Sequence, residues 1–321
     1  MEFRDYSKKR PKGRSLKVLG LGLIIAVVVV TLVFSYALKP SSQASAAPNE
    51  PVQITHSTPQ PVLEPLFEVR PKLVSEDALF ADVRTSFDPA VWKRSTHDNN
   101  DSDTHYGGPW IPENIEQMAD RLVLKIRAGS NTSKPTMAEL KTHRKYGHGR
   151  YEVIMRPSGE QGTVSAFFTY TGPWQGDPHD EIDIEFVGRR PGHVEFNYFQ
   201  GGIRGKGHKR IKLGFDASES MNLYAFEWHP DEIIWFINGE EVYRSPKGRR
   251  GIPTHPSKLF ISAWTGTERI MREWIGEAQF GATAQSEYAC LSFTPFGDTS
   301  YRCADMFAED PQFKRNENSK Y

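Results

Sequence analysis

In Asp180-Glu181-Ile182-Asp183-Ile184-Glu185-Phe186, acidic and apolar side chains alternate without a break from Glu181 onward. A period of two belongs to an extended strand, where residues i, i+2 and i+4 share a face. Glu181, Asp183 and Glu185 therefore form one row, while Ile182, Ile184 and Phe186 enter the opposite layer. A strand with one apolar face needs a second layer to cover it. The flanking sequence supplies further strands. Residues 150–156 alternate, with Tyr151, Val153 and Met155 on one face. Residues 164–170, 182–187, 194–199, 223–228 and 259–264 are short runs rich in β-branched and aromatic types. Residues 233–237, then Asn238-Gly239, then Val242-Tyr243 read as a hairpin with a type I′ turn. The expectation is all-β: one antiparallel β-sandwich of about 220–240 residues, placed at 79–296 and followed by a tail at 297–321.

Helical periodicity over a long stretch occurs only at 18–38, where 21 residues carry no charge. About 20 apolar residues span a bilayer as a helix, whereas the apolar part of a signal peptide usually has 7–15. Residues 1–17 hold seven basic and two acidic groups, a net of 7 − 2 = +5. The 321-residue chain has 40 Lys+Arg against 40 Asp+Glu, so residues 39–321 carry −5. The basic head stays cytoplasmic by the positive-inside rule, and everything after residue 38 is exported. The reading is a single-pass membrane protein with its folded domain outside the cytoplasm. The alternative is secretion after cleavage at Ala44-Ser45-Ala46. Residues 39–78 form a Pro/Ser-rich linker. An exported part that is acidic lacks the basic footprint of a nucleic-acid binder, so that function is set aside. The only two cysteines, Cys290 and Cys303, lie in the exported part and have no metal-ligand spacing. A disulfide is expected in an oxidising compartment, with two unpaired thiols as the alternative.

Three carboxylates in line repel one another, and acidic residues are depleted in strands. The row costs stability and asks for a purpose. Two carboxyl groups flanking a sugar bond are what glycoside hydrolysis needs, one as nucleophile or base and one as an acid of raised pKa. A solvated strand face or a calcium site would explain the row equally well. Spacing does not settle the roles: residues four apart on a strand lie roughly 13 Å apart at Cα, while a retaining pair needs carboxyl groups about 5–5.5 Å apart.

Tyr146-Gly147-His148-Gly149-Arg150-Tyr151-Glu152-Val153, Phe167-Phe168-Thr169-Tyr170-Thr171-Gly172-Pro173 and the segment 180–188 follow one another in order. Phe196-Asn197-Tyr198, Leu213-Gly214-Phe215-Asp216-Ala217-Ser218, Tyr224-Ala225-Phe226-Glu227-Trp228 and Trp264-Thr265-Gly266 continue the series. Over about residues 138–295 it resembles the bacterial lichenases, endo-1,3-1,4-β-glucanases of glycoside hydrolase family 16. The family's glycanases that trim bacterial exopolysaccharide are equally similar. The resemblance implies a concanavalin-like jelly roll with a sugar cleft across its concave sheet. It implies retention through a glycosyl-enzyme, with Glu181 as nucleophile, Glu185 as acid/base and Asp183 as the helper that tunes the nucleophile.

The same resemblance implies cleft contacts from Glu139, Phe168, Tyr170, Asn197, Trp264 and Trp274, and Trp174 sits in the loop before the carboxylate strand. Four positions depart from the lichenase pattern: His179 replaces a Trp, Lys141 an Arg, Phe199 a Tyr and Ser262 an Asn. Lys loses bidentate geometry and Phe loses a hydroxyl contact, which loosens specificity for mixed-linkage glucan. His179 beside Asp180 is read as a group that tunes the acid, with a simple loop histidine as the alternative. No cofactor is required, and the lichenase calcium site is weakened because Ala289 stands where a ligand Asp is expected. The expected partner is a polysaccharide, with the membrane reached through the N-terminal helix. A transglycosylase shares the same intermediate and remains a rival. A non-catalytic lectin on the same sandwich would have no need of two glutamates around a helper.

Overall fold

The computed structural model describes residues 73–97, 106–130, 132–205, 208–248 and 250–313. The head (1–17), the apolar run (18–38), most of the linker (39–78) and residues 314–321 lie outside the described residues. Among the described residues no helix is long and apolar enough to cross a membrane.

Sixteen strands among the described residues, β1 to β16 in chain order, build two eight-stranded antiparallel sheets. The back sheet runs β14 (Glu240–Arg244), β13 (Ile233–Ile237), β12 (Asn222–Trp228), β6 (Gly149–Arg156), β16 (Thr283–Thr294), β4 (Leu122–Arg127), β3 (Ile115–Gln117), with β1 (Leu79–Asp82) also paired to β16. The front sheet runs β10 (Ile203–Arg204), β9 (His193–Gln200), β8 (Asp180–Val187), β7 (Thr163–Thr171), β15 (Ser257–Thr265), β5 (Ala138–Tyr146), β2 (Trp92–Arg94), with β11 (Lys209–Lys212) also on β9. This is an all-β antiparallel sandwich of two sheets.

The alternation read from sequence decides which side chains fill the interior. Tyr151, Val153 and Met155 of β6 meet Phe167 of β7 and Ile182, Ile184 and Phe186 of β8 in one buried cluster. Burial of each such side chain contributes about 1.5–3 kcal/mol relative to exposure. Phe226 of β12 stacks on Tyr151 at 4.7 Å and approaches Phe167 at 5.9 Å, so the aromatics tie the two sheets together. The β13–β14 hairpin turns on Asn238 (φ 50°) and Gly239 (φ 91°), two positive φ values in succession, as a type I′ turn requires.

The other face of the back sheet is covered by the chain's C-terminal segment. Cys290 of β16 is bonded to Cys303, the first residue of the C-terminal helix (Cys303–Glu309), with Cα atoms 5.7 Å apart. Ala304 N–H donates to Glu152 Oε2 at 2.8 Å, and Arg150 Nε donates to Oε1 of the same buried carboxylate at 2.6 Å. Met306 and Phe313 complete an apolar patch with Ile154, Leu223 and Ala289. Closing a loop of about 14 residues removes unfolded-state entropy worth about 3 kcal/mol. The double variant Cys290→Ala/Cys303→Ala is therefore expected to lose about 3 kcal/mol in urea unfolding. A midpoint unmoved from that of the oxidised parent would show that the bond staples nothing.

Candidate active site

β8 carries its acidic row on the face turned away from the core. Register extends that face across the sheet: Glu181 pairs with Tyr170 and Phe199, Asp183 with Phe168 and Asn197, Glu185 with Ala166 and Glu195. β15 continues it with Lys258, Phe260, Ser262 and Trp264, and β5 with Lys145, Lys141 and Glu139. Directly paired residues in an antiparallel ladder point the same way. The segments separated in sequence thus converge on one open face because each strand alternates in phase with its neighbour.

The three carboxyl groups sit in different surroundings. Glu181 is partly exposed, and it accepts a 2.6 Å hydrogen bond on Oε2 from His179 Nε2. A carboxylate only accepts, so the Nε2 of His179 carries the proton. The His179 ring is stacked on Phe199 at 5.0 Å, which fixes its aim. Asp183 is 5% exposed. Burial, then the charges of Glu181 and Glu185, then its hydrogen bond to Glu181 push its pKa well above the usual carboxylate range, so it is the proton donor to Glu181. Burial and the negative charges of Glu181 and Glu195 push Glu185 up to about 8, against a smaller downward pull from Arg204. Two glutamates on one face therefore differ: Glu185 carries a proton at neutral pH, while Glu181 is held by an N–H donor. That separation is what acid/base chemistry on a sugar bond needs.

Glu195 opposite Glu185 behaves in the reverse way. Burial opposes its ionisation, but donors from His208, Arg210 and Arg190 prevail and hold its carboxyl at about 2. Trp274 Nε1 adds a fourth contact at 3.2 Å. Its permanent charge helps keep Glu185 protonated.

The chain matches the model for Glycosyl hydrolases family 16 over residues 102–287, more than half its length. The chain belongs to this family. It is 42% identical over 215 residues to a beta-glucanase of Brevibacillus brevis, covering 65% of this chain and 79% of that one. It is 35% identical over 219 residues to a beta-glucanase of Acetivibrio thermocellus, covering 68% of this chain and 63% of that protein's length. The solved Bacillus licheniformis beta-glucanase superposes with a TM-score of 0.63 at 30% identity, over 69% of this chain and 99% of that one. A beta-1,3-1,4-glucanase (lichenase) from a mouse hindgut metagenome gives 0.62 at 34%, over 68% and 99%.

As a family 16 glycoside hydrolase, the chain places most of the residues singled out from sequence on this one face. Glu139 accepts from Ser95 Oγ and pairs with Lys141 Nζ at 3.3 Å. Lys141 Nζ also lies 5.4 Å from the centre of the Phe260 ring, which in turn stacks on Phe168 at 4.8 Å. Asn197 accepts from Arg204 Nε at 2.9 Å through Oδ1. Trp264 and Trp274 pack together at 5.9 Å between their ring centres. Ser262 is 1% exposed and lies on the floor beneath its neighbours. Trp174 stands apart at 97% exposure in the turn before β8.

One reading changes. His179, expected to tune the acid, contacts Glu181 instead. Asp180, its neighbour, faces away from the row and accepts from the backbone N–H groups of Gly201, Thr254 and His255, tying β8 to two loops. One position of the calcium site implied by the lichenase resemblance lacks its expected carboxylate. Ala289 has no side-chain oxygen, its carbonyl accepts from Val83 N–H at 3.0 Å, and it is buried beside the Cys290–Cys303 bond and Met306.

Sequence reasoning missed Tyr106, Glu195, Arg204 and Phe260. Tyr106 is held edge-on to both Trp110 and Trp264 at 5.2 Å. Partial burial, with 38% of the residue still exposed, then the field of Glu139, Glu181, Glu185 and Asp183, push its hydroxyl pKa well up. Its loop docks through Gly107 N–H on the Thr265 carbonyl at 2.7 Å. Gly108 is required there because a Cβ would lie 1.8 Å from the Pro135 oxygen. The Tyr-Gly-Gly-Pro-Trp run at 106–110 was the available signal.

Proposed function

We propose that this chain is a retaining endo-β-glucanase working by double displacement in a cleft over the concave front sheet of a jelly roll. The observation that carries the reading is the split between Glu181 and Glu185 on one strand face, with Asp183 between them. Glu181 attacks the anomeric carbon while Glu185 gives its proton to the departing glycosidic oxygen. Glu185, now ionised, takes a proton from water, which displaces Glu181 and restores the starting configuration. Asp183 holds a proton toward Glu181 and lowers the charge repulsion within the row. The steps use two carboxyl groups and one water, and no cofactor enters them. Relatives named as beta-glucanases and as a beta-1,3-1,4-glucanase support β-glucan as the substrate class.

The physiological substrate in this reading is a β-linked exopolysaccharide made by the producing cell, with mixed-linkage glucan a poorer one. It rests on the apolar run at 18–38, which would hold the domain at the cell envelope, and on the altered positions Lys141, Phe199 and Ser262. The test is expression of the full chain, with carbonate-washed membranes and medium each assayed for new reducing ends on lichenan and on the producer's own polysaccharide. Activity in washed membranes that favours the native polymer is expected. Activity only in the medium would make 18–38 a cleaved signal, and lichenan-only activity would return the enzyme to a plain lichenase.

A further inference from the structure

Both flanks of the carboxylate row carry cations on the open face. On one side, β15, β5 and β2 bring Lys258, Lys145, Lys141 and Lys93 together: Lys258 pairs with Tyr170 and Lys145, and Lys141 pairs with Phe260 and Lys93. Strands lie about 4.8 Å apart, so this group spans about 10–19 Å from β8. Lys141 and Lys145 have carboxylate partners in Glu139 and Asp177. Among the described residues neither Lys93 nor Lys258 has a carboxylate within ion-pair distance. Burial, followed by the charges of Lys141, Lys93 and Lys145, lowers the Lys258 pKa, so the four ammonium groups feel one another.

On the other side, register puts Arg204 opposite Phe199, Arg210 opposite Glu195 and Lys212 opposite His193, all on the same face. Glu195 is shared there among Arg190, Arg210 and His208, which leaves cationic charge in excess. The exported part of the chain is acidic by 5 charges, yet this face gathers cations on both sides of its acidic centre. A neutral glucan gains nothing from ammonium groups that repel one another, whereas a polyanion lying across the strands would relieve that repulsion at both ends. The flanks sit where a chain threading past Glu181 and Glu185 must run.

We propose that the polysaccharide this enzyme cleaves is anionic, a β-linked chain bearing carboxylate groups, with Lys93, Lys141, Lys145 and Lys258 on one flank and Arg204, Arg210 and Lys212 on the other as the cationic rails that hold it. The inference rests on the β-glucanase reading above and specifies its substrate class. Hydrophobic stacking on Phe168, Phe260 and the tryptophans still positions the sugar rings, while the rails select by charge.

The test compares carboxymethyl β-glucan with hydroxyethyl β-glucan of the same substitution, so that bulk is matched and only charge differs. The full chain in detergent should show kcat/KM at least tenfold higher on the carboxymethyl polymer at about 20 mM salt. That preference should collapse toward parity at 1 M salt, where the screening length is about 3 Å. Lys93→Gln/Lys258→Gln should cut the carboxymethyl-to-hydroxyethyl ratio at least fivefold, with unaltered Tm showing that the fold survives. Equal rates on the two polymers at low salt, with both cleaved, would overturn the anionic inference and leave the glucanase reading standing. A tenfold preference that the double variant leaves unmoved would remove the lysine rail. Cleavage of neither polymer, nor of unmodified lichenan, would overturn the glucanase reading and this inference with it.

Discussion

Glu181→Ala should lower kcat on lichenan by about 10⁴-fold or more, because in the proposed double displacement it removes the group that forms the bond to the anomeric carbon. Truncation leaves a gap facing the sugar, and azide fits it. With an aryl β-glucoside oligomer and azide, turnover should return and the product should be the α-glycosyl azide, inverted relative to substrate. Inversion follows because azide attacks from the side Glu181 occupied, and Glu185 still assists departure. Glu181→Gln keeps the bulk and should stay inactive with azide present. NMR of the anomeric proton reads the outcome directly. Substantial unaided hydrolysis by Glu181→Ala would end the assignment of Glu181 as nucleophile.

Loss of Glu185 should leave a different fingerprint. Glu185→Ala should lower kcat/KM on unactivated glucan by about 10³-fold, within the range for general acid/base catalysis. Aryl glycosides with good leaving groups should suffer far less at the first step, and azide should then give the β-glycosyl azide with retention. The parent enzyme should show an alkaline limb in kcat/KM near pH 8, the value to which burial and the charges of Glu181 and Glu195 raise Glu185. Stability moves with the same proton. The folded state holds it more tightly than the unfolded chain, so the contribution is full below the ordinary glutamate value and is lost as pH rises toward 8. Glu185→Gln should consequently raise Tm by about 2–4 °C at pH 9 and by less at pH 5, while abolishing activity. An alkaline limb that survives in Glu185→Ala on aryl substrates would assign it to another group.

Much of this protein is legible because strand periodicity is a local property. The acidic row on β8, the buried faces of β6 and β7 and the hairpin at Asn238-Gly239 depend on neighbours one or two residues away, and the structure repeats them. β5 was not legible in the same way. Its sequence AELKTHRKY sends Ala138, Leu140 and Thr142 inward and gives its other face to Glu139, Lys141 and Lys145, so it lacks the β-branched and aromatic signal of a strand. Its charge belongs to the open face that it helps to build. The C-terminal helix likewise looks like a polar tail until the bond to Cys290 and the amide contact to Glu152 seat it.

The chemistry divides along the same line. That Glu181, Asp183 and Glu185 share a face follows from the sequence alone, since a two-residue period permits nothing else. Which of them carries a proton does not, because charge state depends on burial and on groups far away in the chain. His179 reaches Glu181 with its ring packed against both Phe199 and Tyr170, which neighbouring strands supply. Glu195 raises Glu185 only because β9 pairs in that register, and it stays ionised only because Arg190, Arg210 and His208 converge on it. Lys93, Lys141 and Lys258 lie up to 165 positions apart in sequence (258 − 93) and become one cationic flank through strand pairing. The period of the strands belongs to the sequence. The electrostatic identity of each carboxyl group belongs to the fold, because Coulomb interactions act through space and not along the chain.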